Sequence, residues 1–149
     1  MMPVVNKSIF IKADPEKVYR IAIDPKRWEQ WYVELTGPLS MIGTGEVGSK
    51  MKFTYSMVGI HLQITIKVLE AATTPAGRVW RGSFSGGIVG TQKFLYMPAG
   101  NGTQVDVEIE YTVPGKVLGR IANTKTVERM QENNTANTLE NLKALVEHE

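Results

Sequence analysis

Between Lys50 and Val58 the chain alternates with a period of two. Met51, Phe53, Tyr55 and Met57 fall on one side, and Lys50, Lys52, Thr54 and Ser56 on the other. Leu62, Ile64, Ile66 and Val68 alternate in the same way with His61, Gln63, Thr65 and Lys67. The clearest run sets Val105, Val107, Ile109, Tyr111 and Val113 against Gln104, Asp106, Glu108 and Glu110. Successive side chains of a strand point to opposite faces, so these runs predict an antiparallel sheet with one buried and one wet face. Gly59, Pro75-Ala76-Gly77 and Ala99-Gly100-Asn101-Gly102 supply turns. Arg78 to Ser85 and Ile88 to Met97 read as two less regular strands around a turn or bulge at Gly86-Gly87. A further strand, Val4 to Ile11, opens the chain with β-branched residues.

Two helix starts follow that first strand. Asp14-Pro15-Glu16 and Asp24-Pro25-Lys26 each place an Asp at the N-cap and a Pro at the first helical position. The helices they open are short, about Pro15 to Ile23 and Pro25 to Tyr32. Pro114-Gly115 ends the sheet, and from Lys116 to about Glu147 there is no proline, which predicts one long C-terminal helix. One face of that helix collects Val117, Ile121, Thr124, Glu128, Gln131, Thr135, Leu139, Leu142 and Val146. Its middle is polar, and an unpaired buried carboxylate at Glu128 costs several kcal/mol. Either that stretch faces a wet cavity, or the helix is rotated so that Val127, Met130 and Leu145 turn inward and Glu128 lies near the rim. The second reading is preferred.

Composition narrows the function classes. A chain of 149 residues, 42% hydrophobic and 21% charged, fits one globular domain spanning 1–149. The net charge of +2 gives no basic surface for nucleic acid. No apolar run approaches the roughly 20 residues of an integral membrane segment, and the N-terminus lacks the pattern of a signal peptide. With no cysteine, disulfides, thiolate metal sites and cysteine nucleophiles are absent, and a cytoplasmic location is expected. His61 and His148 are the only histidines, too few for a multi-histidine metal site, so neither metal nor cofactor is expected. Gly43-Thr44-Gly45-Glu46-Val47-Gly48 matches G-x-G-x-x-G, but a strand and not a helix follows it. The phosphate site of a dinucleotide fold therefore cannot form there.

The order of these elements, with several local motifs, resembles the START-like helix-grip (SRPBCC) superfamily over essentially the whole chain. The motifs are Ser8-Ile9-Phe10-Ile11-Lys12-Ala13-Asp14-Pro15-Glu16-Lys17-Val18-Tyr19, the paired tryptophans of Asp24-Pro25-Lys26-Arg27-Trp28-Glu29-Gln30-Trp31, Tyr111-Thr112-Val113-Pro114-Gly115, and Leu139-Glu140-Asn141-Leu142-Lys143. The nearest branch is the polyketide cyclase/dehydrase and lipid-transport group. The resemblance implies an α+β fold: a curved antiparallel sheet of about seven strands around the long helix, with two short helices after the first strand. It also implies a cavity between sheet and helix; the glycine-rich stretch (Gly43, Gly45, Gly48) reads first as a flexible hairpin loop, and on the resemblance as a gate at the cavity mouth.

On that architecture the inward residues Met51, Phe53, Tyr55, Met57, Ile64, Trp80, Phe84, Phe94, Tyr96, Tyr111, Ile121 and Gln131 are candidate ligand contacts, with packed core as the equal alternative. Met adapts to irregular surfaces, and a buried tyrosine hydroxyl needs a partner. The expected function is binding or transport of a small hydrophobic molecule such as a lipid, quinone or aromatic metabolite. The alternative is a cyclase/dehydrase-type enzyme, with Glu128 as candidate proton carrier. A protein-interaction module is disfavoured by the polar outer sheet face, and a homodimer is left open.

Overall fold

The structure, a computed structural model, describes residues 3–120 and 124–149. Strand β1 (Val4–Ile11) leads into α1 (Pro15–Ala22), a 3-10 turn (Pro25–Arg27) and α2 (Trp28–Trp31). Strands β2 (Leu35–Ile42), β3 (Lys50–Met57), β4 (Ile60–Thr74), β5 (Gly77–Gly86), β6 (Val89–Ala99) and β7 (Gly102–Thr112) follow, then α3 (Gly115–Leu118) and α4 (Thr124–Glu147). The second Asp-Pro start works as its chemistry requires: the Asp24 carboxylate accepts from the Lys26 N–H at 3.1 Å. Asp14 holds the cap position of α1 without a side-chain bond.

The seven strands form one antiparallel sheet in the order β1-β7-β6-β5-β4-β3-β2, the fold class expected above. Register breaks between Thr36 and Ser40, and between Val68 and Glu70, bend the sheet. The period-two pattern holds in β3 and in the first part of β4 and lapses in β5, where Val79 and Trp80 are both buried. Met51, Phe53 and Met57, then Leu62, Ile64, Ile66 and Val68, are buried on the concave face. Arg81 lies on the other side of the sheet, its guanidinium 3.8 Å from Glu70.

Helix α4 lies in the concavity, and one detail departs from expectation. The helix does not run unbroken from Lys116, because α3 closes at Gly119, whose N–H bonds to the Gly115 carbonyl. Glycine is a weak helix former, and the break falls where it stands. The N-terminal half of α4 is turned in the way the preferred reading of its spacing has it. Val127 is 2% exposed, while Thr124 and Glu128 face water. The C-terminal half buries Leu139, Leu142 and Val146 as the spacing predicts. Hydration of the Glu128 carboxylate is kept and an apolar side chain is buried instead.

One end of the concavity is plugged. Trp28 stacks on Phe53 at 5.6 Å and meets Trp80 edge-on at 5.5 Å. Trp31 meets Phe94 edge-on at 6.0 Å, and Phe94 stacks on Tyr96 at 6.1 Å. The Trp28 indole N–H donates to the Ala22 carbonyl at 2.8 Å, which fixes α2 beneath α1. No described helix is long and apolar enough to cross a membrane.

A cavity between the sheet and the C-terminal helix

Beyond the aromatic plug the concavity is open. Its empty space is about 710 Å³ counting the open mouth, and about 80 Å³ is deep enough to take the centre of a water-sized sphere. The walls come from the C-terminal parts of β3, β5 and β7, the N-terminal parts of β4 and β6, the stretch from Tyr32 to Leu35, and the middle of α4. Of the residues singled out in the sequence, Tyr55, Ile64, Phe84, Phe94, Tyr111 and Gln131 line it.

Met51, Phe53, Met57, Trp80 and Tyr96 are as deeply buried but do not line it. Phe53, Trp80 and Tyr96 belong to the aromatic plug, and the Met57 sulfur lies 3.9 Å from the Gln131 amide nitrogen. Ile121 lies outside the described residues. Glu128 is exposed and is not part of the wall.

The glycine loop lies at the other end of β3 from Tyr55, and none of its residues lines the cavity. It is tied down. The Gly45 N–H donates to Ser49 Oγ at 3.0 Å, and Gly48 N–H to the Val68 carbonyl at 2.9 Å. A Cβ on Gly45 would sit 3.0 Å from the Pro25 ring, at a φ of +115° that side chains rarely adopt.

Several wall residues were not singled out in the sequence: Tyr32, Ile88, Gln92, Ile109, Asn134 and Thr138 among them. Gln92 carried a signal, because it stands two residues before Phe94 on the inward phase of β6 where an apolar residue is expected. Asn134 and Thr138 stand three and seven residues beyond Gln131, on the same helix face.

The polar groups of the wall are amides and hydroxyls. The Gln131 amide donates to Tyr55 Oη at 2.8 Å, and the Tyr32 hydroxyl donates to Gln92 Oε1 at 3.4 Å. Thr135 donates to the Gln131 carbonyl at 2.7 Å, and Thr138 Oγ1 accepts from the Val33 N–H at 3.0 Å. Burial pushes the Tyr111 hydroxyl up to about 12, helped by the charges of Glu128, Tyr55 and Glu132. Tyr55 and Tyr32 are also raised, again chiefly by burial. These tyrosines are therefore neutral donors near pH 7 and poor bases. Among the described residues the wall holds no carboxylate, histidine, lysine or arginine. No three metal-ligating side chains come together in the described residues either.

The family described as polyketide cyclase / dehydrase and lipid transport matches residues 2–147 of the chain. No curated protein matches it significantly in sequence. Among solved structures, a START superfamily protein from Mycobacterium smegmatis superposes with a TM-score of 0.75 at 18% identity, over 97% of each chain. An aromatase/cyclase from a Streptomyces species gives 0.77 at 13% identity, covering 99% of this chain and 94% of the other. Norcoclaurine synthase from Thalictrum flavum, in complex with dopamine and hydroxybenzaldehyde, gives 0.67 at 15% identity, covering 100% and 89%. Identities this low speak for the fold alone.

Proposed function

The chain belongs to the polyketide cyclase/dehydrase and lipid transport family, and from this premise we propose that it binds a small, largely apolar molecule beneath α4 without transforming it. The observation that carries the reading is the chemistry of the wall. It is mainly aliphatic and aromatic, with a few amides and hydroxyls and, among the described residues, no ionisable carboxylate or imidazole to move a proton. A cyclase/dehydrase-type reaction would have to rely on the neutral hydroxyls of Tyr55 and Tyr111.

Titration with the neutral fluorophore N-phenyl-1-naphthylamine tests this. Saturable binding at one site with a micromolar Kd, roughly −8 kcal/mol, is expected. Ile109→Trp, which fills the space, should abolish it while circular dichroism stays unchanged. Absence of saturation in the unaltered protein would refute the reading. Turnover of a cyclisable aromatic polyketide mimic, lost in Tyr55→Phe or Tyr111→Phe, would replace it with the enzymatic one.

A further inference from the structure

Among the described residues, two wall side chains end in buried polar atoms without a well-formed hydrogen bond. Tyr111 is 2% exposed, and its hydroxyl meets no hydrogen-bonding group of the described protein. The Nδ2 of Asn134 is likewise buried and, although it lies near the Tyr55 hydroxyl, makes no well-formed hydrogen bond. Leaving such groups unpaired is a free-energy penalty that folded proteins ordinarily avoid. Both groups face the cavity and not the aromatic plug.

A third donor belongs with them. Tyr55 Oη already accepts from Gln131, so its own proton is still free to be given. Tyr55 lies near both of the others, within interaction range of the Asn134 amide and of Tyr111. On a flat sheet β3 and β7 would stand four strands apart, about 19 Å. The curl of the sheet is what brings both residues to the wall of one cavity, under the middle of α4.

We propose that this end of the cavity recognises an acceptor oxygen on an otherwise apolar ligand, the carbonyl of an aryl ketone or quinone, through the hydroxyls of Tyr111 and Tyr55 and the side-chain N–H of Asn134. The inference rests on the binding function proposed above and narrows its ligand class. A carbonyl oxygen has two lone pairs and no proton, which complements a set of neutral donors. A hydrocarbon of the same shape leaves those donors unpaired, so the site discriminates by what the wrong ligand fails to satisfy.

The test compares 1,4-naphthoquinone with naphthalene on the full chain, by displacement of N-phenyl-1-naphthylamine. The chain has no cysteine for a quinone to alkylate. The quinone should bind at least tenfold more tightly. Tyr111→Phe should remove most of that preference, leave the naphthalene Kd within twofold, and leave the melting temperature of the free protein unchanged or higher. Asn134→Leu should independently reduce the preference. Equal affinity for the two compounds, or a preference that survives both substitutions, overturns the carbonyl assignment and leaves cavity binding standing. If neither compound displaces the probe, the carbonyl assignment falls. If the probe itself does not saturate, both readings fall.

Discussion

The carboxylate of Glu46 takes hydrogen bonds from both the backbone N–H and the hydroxyl of Thr44, at 2.9 and 2.7 Å. These bonds, the hydroxyl's foremost, hold its carboxyl down at about 2 against an ordinary 4.5. A folded pKa below the unfolded one means that the charged form stabilises the fold. That contribution is complete above about pH 4.5 and is lost as pH falls through about 2. Glu46→Gln should therefore melt lower than the parent protein at pH 6, with the difference shrinking towards pH 2, as followed by thermal denaturation across that range. A difference that grows with acidity would contradict the assignment. Contacts of this kind were out of reach of the sequence. Gly-Thr-Gly-Glu reads as a flexible stretch until Thr44, Glu46 and Ser49 are seen bonded to one another, with Gly45 against Pro25. Gln92 is the opposite case, since a polar residue on an inward phase announces a special position without any structure.

Among the elements, the strands were the most legible, because a period of two needs only local sequence to be read. Helix α4 was legible in extent and in its C-terminal half, where Leu139, Leu142 and Val146 leave no choice of face. Its middle was ambiguous, because Gln131, Thr135 and Thr138 are polar yet buried. What makes their burial tolerable is distant in sequence: Tyr55 accepts from Gln131, and the Val33 N–H donates to Thr138. The two halves make contrasting predictions. Leu142, 0% exposed, sits in the packed half, and Leu142→Ala should cost about 2–5 kcal/mol in urea denaturation. Glu128→Gln, on the wet side, should stay within about 0.5 kcal/mol. A large loss at Glu128 would mean that its carboxylate is engaged in the fold after all.

At the scale of the whole molecule, the sequence placed the aromatic and methionine residues on the concave face but could not divide plug from cavity. Phase along a strand tells which face a side chain takes. How far along the strand the filling stops depends on where Trp28 and Trp31 dock from another part of the chain. That is why Tyr55 lines the cavity while Phe53, two residues away on the same face, is packed under Trp28. Ligand protection should follow this division. In hydrogen exchange, a bound naphthoquinone should slow amides in the middle of α4 and near Tyr55 and Tyr111, and leave residues 43–48 unchanged. Protection centred on that loop would move the site to the other end of the sheet. The ties on α4, by contrast, run along its length. Lys7 meets Glu132 and the Gln131 amide meets Tyr55, both at 2.8 Å, while at the C-terminal end Glu147 accepts from the Lys12 N–H at 2.8 Å and Arg27 holds Glu149 at 3.0 Å. Gln131 is thus at once a wall residue and one of the pins that hold the helix on the sheet. A guest that competes for the Tyr55 hydroxyl competes with that pin, so the filling of the cavity and the grip on the helix would be coupled.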